Sequence, residues 1–142
     1  MSSPKCKLYD DFEYLYNEIF KKENTKISLI NQIDELSVQS LLKKNLNLFI
    51  RANYLKYLIL VYNRRELELF PLQNQIILQI KPTNKKYLLA QSYYFFAMAL
   101  VKYRNYTQGD FYFKKSLLIS EKMNYPNLHS MTLRKKALIS IK

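Results

Sequence analysis

The chain has 142 residues, a formal net charge of +12 and a single glycine. Glycine-rich phosphate loops, dinucleotide-binding turns and helix–loop–helix calcium loops require glycines at fixed spacings, so this composition excludes them. One cysteine and one histidine are too few for the usual four-ligand structural zinc sites. We therefore expect neither a metal nor a cofactor. The length suits a single domain spanning residues 1–142, and an apolar content of 49% is enough to build a core.

Charge is unevenly distributed along the chain. Residues 1–35 hold seven acidic residues and five lysines, whereas residues 36–142 hold 18 basic residues and four acidic ones. The predicted domain therefore has an acidic N-terminal segment, residues 1–35, and a basic remainder, residues 36–142. A basic field attracts nucleic acid, anionic lipid or acidic peptides, and it also keeps a protein dissolved. Composition alone does not choose among these roles.

Three sequence features bear on the cellular compartment of the protein. Its first 20 residues carry acidic side chains where a signal peptide would carry an apolar stretch. The longest apolar run, from Tyr57 to Tyr62, is far shorter than the ~20 residues of a membrane span. The lone cysteine, Cys6, cannot form an internal disulfide. We expect a cytoplasmic protein with no membrane partner.

The first half of the chain shows helical periodicity. From residue 8 to residue 22 the apolar positions are Leu8, Phe12, Leu15, Tyr16, Ile19 and Phe20. Residues 23–26 end this helix, and a second helix begins near Ile27. Ser37 is a candidate N-cap for a longer helix that reaches Tyr62, with a bend or break near Asn45 or Asn53.

The second half is divided more clearly. Residues 63–65 predict a turn, and the helix that follows over residues 66–80 starts near Phe70, because Pro71 is tolerated only in a first turn. A breaker at residues 81–84 precedes predicted helices over 85–103, 107–123 and 128–141. No segment alternates like a strand. The sequence thus predicts an all-α fold of six or seven helices, arranged as stacked antiparallel helical hairpins because the connections are short.

Residues 93–119 resemble a tetratricopeptide repeat. Apolar and small residues fall at helical spacing in two successive segments: Tyr93, Phe96, Ala97 and Leu100, then Gly109, Phe113, Ser116 and Leu117. The family places small residues where paired helices cross, and Ala97, Gly109 and Ser116 stand at those positions. Residues 119–138 also resemble the inter-repeat segments of peptide-sensing bacterial regulators. The resemblance implies a superhelix of helical hairpins that binds peptides or partner domains.

The resemblance implies a concave partner-binding face and no catalysis. That face would be basic, with aromatic and methionine contacts. The residues expected to line it are Asn53, Lys56, Gln91, Tyr94, Met98, Lys102, Met131 and Lys135. The family's clamp for a peptide carboxylate uses lysine and asparagine where this chain has Tyr94 and Met98, so that clamp is not expected. We expect a protein or peptide partner.

Two other hypotheses remain open from the sequence, namely nucleic-acid binding and self-association. A nucleic-acid-binding protein is the alternative, and it requires the dispersed basic doublets to gather on one face. Self-association through the last helix is suggested by its apolar residues, which are Leu128, Met131, Leu133, Ala137, Leu138 and Ile141. An enzyme is not expected, because no nucleophile or orienting group is evident beside His129.

Overall fold

The structure is a computed structural model that describes residues 4–141, with side chains described for residues 7–139. Every regular element in this range is helical, which confirms the all-α prediction. The seven α-helices of the described range are α1 (Pro4–Phe20), α2 (Leu29–Leu42), α3 (Leu46–Tyr62), α4 (Leu69–Ile80), α5 (Lys86–Lys102), α6 (Tyr106–Lys122) and α7 (Pro126–Ile141). Short 3-10 turns occupy Glu66–Glu68 and Lys81–Thr83. None of the helices described here combines the length and apolarity that crossing a bilayer demands.

The chain divides into two compact units, unit 1 (Met1–Glu66) and unit 2 (Leu67–Lys142). In unit 1, α2 and α3 form a hairpin, and α1 packs against both helices. In unit 2, α5 pairs with α6, α6 pairs with α7, and α4 packs against α5. The predicted boundary after residue 35 lies inside α2, because the change of charge along the sequence does not coincide with a helix end. A single domain over residues 1–142 stays a prediction.

Left-handed residues terminate several helices. Lys44, Arg64, Arg104 and Asn124 have φ angles of 58°, 58°, 69° and 59°. The next residue donates its N–H back to the helix, as in the bond from Asn105 N to the Leu100 carbonyl at 2.9 Å. This is the Schellman arrangement, which glycine usually provides because it adopts positive φ without strain. The chain makes these turns without glycine, and its one glycine lies inside α6.

The α2–α3 hairpin shows that one predicted N-cap is wrong. Ser37 is not an N-cap, because it lies inside α2 and is buried. The cap of α3 is Asn45, whose side chain accepts a hydrogen bond from the Leu48 N–H at 3.1 Å. Of the two predicted break points, Asn45 is the one where the helix is interrupted, and Asn53 lies within α3. A cap requires non-helical backbone angles, which the turn supplies at Asn45 but α2 does not at Ser37.

The crossing of α5 and α6 is close, as the small residues predict. A Cβ atom built on Gly109 would lie 2.8 Å from Val101 Cγ2 and 3.4 Å from the Ala97 carbonyl oxygen. Ala97 and Ser116 are fully buried, and the Ser116 hydroxyl donates to the Ala90 carbonyl oxygen at 2.8 Å. Small side chains let helices approach closely. The glycine therefore provides space for a helix–helix contact.

Candidate partner-binding groove

An open groove with a volume of about 480 Å³ lies in unit 2, beside the C-terminal half of α5, the start of α6 and the C-terminal half of α7. Its lining combines an apolar floor with a basic rim. The apolar side chains are Met98, Val101, Phe113, Leu138 and Ile139. The charged side chains are Lys102, Arg104 and Lys135, and Tyr106 completes the lining.

The turn between α5 and α6 positions one side of the groove. Asn105 caps α6 by accepting a hydrogen bond from the Gln108 N–H at 3.3 Å. The left-handed conformation of Arg104 ends α5 directly after Lys102, so both cations lie at the same helix end. Positive side chains near a helix C-terminus are also favoured by the helix dipole. The local turn chemistry therefore concentrates positive charge at this edge of the groove.

An ion-pair cluster holds α7 against α6. Asp110 Oδ1 lies 3.3 Å from Lys136 Nζ, and its Oδ2 lies 3.1 Å from Lys114 Nζ. Burial by itself would raise the pKa of the Asp110 carboxyl, but the hydrogen bonds and charges of Lys114 and Lys136 outweigh burial and lower that pKa. Asp110 is therefore ionised at neutral pH and already engaged by two lysines.

The rim of the groove carries uncompensated positive charge. No Asp or Glu is among the lining residues, and Lys102, Arg104 and Lys135 are all exposed. Within residues 7–139, none of these three side chains forms an ion pair. Three free cations around an apolar floor can bind a segment that offers carboxylates beside apolar side chains.

The structure brings three of the predicted partner-binding residues together in this groove, namely Met98, Lys102 and Lys135. Met131 lies one helical turn before Lys135 and is exposed, so it extends the same face of α7 beyond the groove. The side chain of Ile141, predicted to contribute apolar surface to this helix, lies outside the described side chains.

The predicted face is not continued along α5. Gln91 and Tyr94 are only 4% and 5% exposed, so their side chains offer little surface to a partner. Tyr94 belongs to a buried cluster with Phe113 and Leu128, where α5 meets the other helices of its unit. Its burial raises the pKa of the phenol, with Arg134 acting in the opposite direction. The Tyr94 hydroxyl is therefore neutral at physiological pH.

Asn53 and Lys56 act inside unit 1. The Asn53 side-chain amide donates to the Ser37 hydroxyl at 2.9 Å, and Lys56 Nζ lies 2.8 Å from Asp34 Oδ1. Both side chains thus connect α3 to α2. Within its hairpin α3 is the second helix, so it corresponds to α6 and not to α5. Residues expected on an open face therefore turn toward the partner helix.

Five of the nine residues that line the groove belong to no predicted binding surface: Val101, Arg104, Tyr106, Phe113 and Ile139. Val101 was not placed on the binding face, although it follows Met98 by three positions and so lies near it on the helix surface. Arg104 and Tyr106 were assigned only to a turn. The available sequence signal for Arg104 is a basic residue two positions after Lys102, the last residue of α5. The geometry of the turn places both cations at the edge of the groove.

A serine and a histidine also come together, at the contact of α6 with α7. Ser120 Oγ lies 3.4 Å from His129 Nδ1 and donates to the Leu117 carbonyl oxygen at 3.2 Å. Ser120 is only 1% exposed, whereas a nucleophilic serine must reach a substrate. We interpret the pair as a structural contact. Within the described residues, no three His, Cys, Asp or Glu side chains are grouped closely enough to hold a metal ion.

No protein-family model, no curated protein and no solved structure matches this chain. The functional interpretation of the groove therefore depends on the chain's own residues and their geometry.

Proposed function

We propose that this chain is a non-catalytic module, similar to tetratricopeptide repeats, that binds an acidic amphipathic segment of a partner protein in the groove of unit 2. The observation that carries the proposal is the set of three uncompensated cations around an apolar floor. A volume of about 480 Å³ is within the usual range of binding clefts. It admits a few side chains of a partner, and the partner backbone would lie across the opening.

Each part of the groove has a distinct role in this proposal. Apolar side chains of the partner would displace water from Met98 and Leu138, which supplies affinity. Carboxylates of the partner would meet the rim, where Arg104 can bind one through two parallel hydrogen bonds. Charge complementarity of this kind raises the association rate and selects against basic partners. Specificity therefore comes from the rim and affinity from the floor.

The test uses a fluorescently labelled helical peptide with glutamates on one face and leucines and tyrosines on the other. Fluorescence anisotropy is measured with the wild-type chain and with the double variant Lys102→Glu, Lys135→Glu. We expect the double variant to bind at least about tenfold more weakly, which corresponds to about 1.4 kcal/mol. A peptide with lysines in place of glutamates should not bind.

The matched control is the double variant Lys85→Glu, Lys86→Glu, which changes the net charge equally at exposed positions outside the groove. Its affinity for the acidic peptide should stay within about twofold of the wild type after the common effect of net charge is screened with salt. Equal losses in both double variants would show that the peptide responds to overall charge, and the groove would then have no specific role.

Nucleic acid is the second candidate partner, and the charge of unit 2 favours it. Residues 67–142 contain twelve Lys and Arg against three Asp and Glu, a net charge of +9. Binding to phosphates would weaken steeply with salt, with a slope close to the number of phosphates neutralised. Titration of labelled duplex DNA at several salt concentrations tests this candidate. Submicromolar affinity at physiological salt, lost equally in both double variants, would favour nucleic acid over an acidic peptide.

A further inference from the structure

We propose that the groove of unit 2 receives the outer face of α1 from a second copy of this chain, so that copies associate head to tail. This inference rests on the proposed function, because it uses the same groove. It adds the identity of one partner segment, the acidic first helix of another copy.

The outer face of α1 has the chemistry that the groove requires. Its inner face buries Leu8, Leu15 and Ile19 inside unit 1. Asp10, Glu13 and Tyr14 follow the i, i+3, i+4 pattern and form a neighbouring exposed set on the opposite side. Tyr14 is 53% exposed although it is a large aromatic residue. The face thus offers carboxylates beside an aromatic ring.

The carboxylates of this face are available for binding. Asp10 and Glu13 are both exposed, and neither of them forms an ion pair within residues 7–139. They can meet two of the three uncompensated cations of the groove, Lys102, Arg104 and Lys135. The Tyr14 ring is of a size that enters the groove, and it can contact Met98 and Leu138 when the carboxylates reach the rim.

The charge distribution makes this contact directional. A chain with a net charge of +12 repels its own copies unless an acidic surface meets a basic one. Residues 1–35 carry a net charge of −2, whereas unit 2 carries +9. The attractive orientation therefore places α1 of one copy against unit 2 of another. The two surfaces differ, so the contact is heterologous, and repeated contacts give open chains or rings instead of a closed twofold dimer.

The experiment uses two full-length variants, each of which lacks one of the two surfaces. The groove variant carries Lys102→Glu and Lys135→Glu, and the helix variant carries Asp10→Lys and Glu13→Lys. Sedimentation velocity at low salt should show concentration-dependent association of the wild type beyond a dimer. Each variant alone should sediment as a monomer. An equimolar mixture should recover association, because the intact α1 of one variant meets the intact groove of the other and the two reversed surfaces are also opposite in sign.

Three further variants protect the test against misfolding and against general charge effects. All variants are checked by far-UV circular dichroism, and Tyr14→Ala weakens the contact without changing charge. We expect this exposed substitution to reduce association about fivefold or more. The chain with both charge reversals should recover association, since its two surfaces are again opposite in sign. The control variant Lys85→Glu, Lys86→Glu should still associate.

The outcomes separate this inference from the proposed function. A wild type that stays monomeric at all concentrations while the acidic peptide binds in the groove would overturn self-association and leave the proposed function standing. A wild type that associates while the equimolar mixture of the two variants stays monomeric would overturn the contact of α1 with the groove. Peptide binding that the groove variant leaves unchanged would overturn the proposed function itself.

Discussion

Units 1 and 2 contain the same hairpin turn, but the residues buried where their paired helices cross are polar in unit 1 and apolar in unit 2. In both units a left-handed residue, Lys44 or Arg104, is followed by an asparagine that caps the next helix. The N–H of that asparagine returns to the preceding helix, at 2.8 Å for Asn45 and 2.9 Å for Asn105. Aligning the units on these two asparagines identifies equivalent positions in the two hairpins.

The aligned positions carry a polar pair in unit 1 and an apolar pair in unit 2. Asn53 aligns with Phe113, and Ser37 aligns with Ala97. Asn53 and Ser37 are buried and joined by a hydrogen bond of 2.9 Å, whereas Phe113 and Ala97 belong to one buried apolar cluster. A buried polar group is tolerated when it is hydrogen-bonded. The two hairpins therefore share one turn. Their buried helix–helix contact can be polar or apolar, provided that the two facing residues are of the same kind.

The units also differ in the size of the residue at one aligned position and in their charge. Phe49 of unit 1 aligns with Gly109 of unit 2, so a buried aromatic ring stands where α6 leaves space for α5. Unit 1 contains eleven basic and eight acidic residues, a net charge of +3, against +9 for unit 2. The comparison shows that the same hairpin turn occurs in a unit of mixed charge and in a strongly basic unit.

The largest expected effect tests the apolar crossing of unit 2. Phe113→Ala removes a fully buried ring and should lower the free energy of unfolding by about 3–5 kcal/mol, because a cavity remains. Urea titration followed by circular dichroism measures the loss. Phe111→Ala is the control, since that ring is 49% exposed and its removal should cost less than about 1 kcal/mol. Equal losses for both variants would contradict the assignment of Phe113 to the core.

The close approach in unit 2 is tested at its glycine. Gly109→Leu should lower the free energy of unfolding by about 3 kcal/mol, since even a Cβ atom would lie 2.8 Å from Val101 Cγ2. Adding Val101→Ala should recover part of the loss in a double-mutant cycle. At the aligned position of unit 1, Phe49→Leu should cost less than about 1.5 kcal/mol. Unchanged stability of Gly109→Leu would show that α5 and α6 are not in close contact there.

The polar crossing of unit 1 can be converted to the chemistry of unit 2. Asn53→Ala should lower the free energy of unfolding by about 1–3 kcal/mol, because Ser37 loses its hydrogen-bond donor in a buried site. The double variant Ser37→Ala, Asn53→Leu removes both polar groups and should be nearly neutral. Chemical denaturation measures all three proteins. A double variant no more stable than Asn53→Ala would show that unit 1 requires the polar pair.

The ion pairs of Asp110 give unit 2 a dependence on acid. The pKa of Asp110 is lower in the folded chain, so ionisation contributes stability above the ordinary carboxyl pKa. That contribution, below about 1 kcal/mol for partly exposed pairs, is lost as the pH falls below about 4. Asp110→Asn should be less stable than the wild type at pH 7 and similar to it near pH 2. A constant difference over this range would contradict the role of the charge.

The smallest expected effect tests the shared turn. Lys44→Gly should raise the free energy of unfolding by up to about 1 kcal/mol, because glycine adopts the left-handed conformation without strain. Asn124→Gly in unit 2 should gain less, since asparagine tolerates that conformation better than lysine. Thermal unfolding compares the two variants. A loss of stability in Lys44→Gly would indicate that the lysine side chain contributes contacts that outweigh its backbone strain.

The helices and their order could be predicted from the sequence because the signals are local. Apolar spacing, Pro71 in a first turn and the breaker at residues 81–84 indicated the elements that the structure contains. The small residues Ala97, Gly109 and Ser116 also indicated the close crossing of α5 and α6. Each of these signals involves residues within a few helical turns, where backbone preference and steric size dominate.

The candidate site could be predicted only in part. Met98, Lys102 and Lys135 reach the groove, whereas Gln91 and Tyr94 share the helix of Met98 and are buried. Helical periodicity identifies which residues share a face, but it does not identify which face a neighbouring helix covers. Among the side chains described for residues 7–139, the C-terminal halves of α5 and α7 border an open groove.

By itself, then, the sequence determined an all-α chain, the positions of its helices from residue 69 onward, its basic excess and the small residues of one crossing. The tertiary structure alone decided that Ser37 pairs with Asn53 instead of capping a helix, and that Asn45 is the cap. It also decided that Arg104 joins Lys102 and Lys135 around an apolar groove. The physical reason is that helix formation depends on neighbours in sequence, whereas burial and charge pairing depend on contacts between residues far apart in the chain.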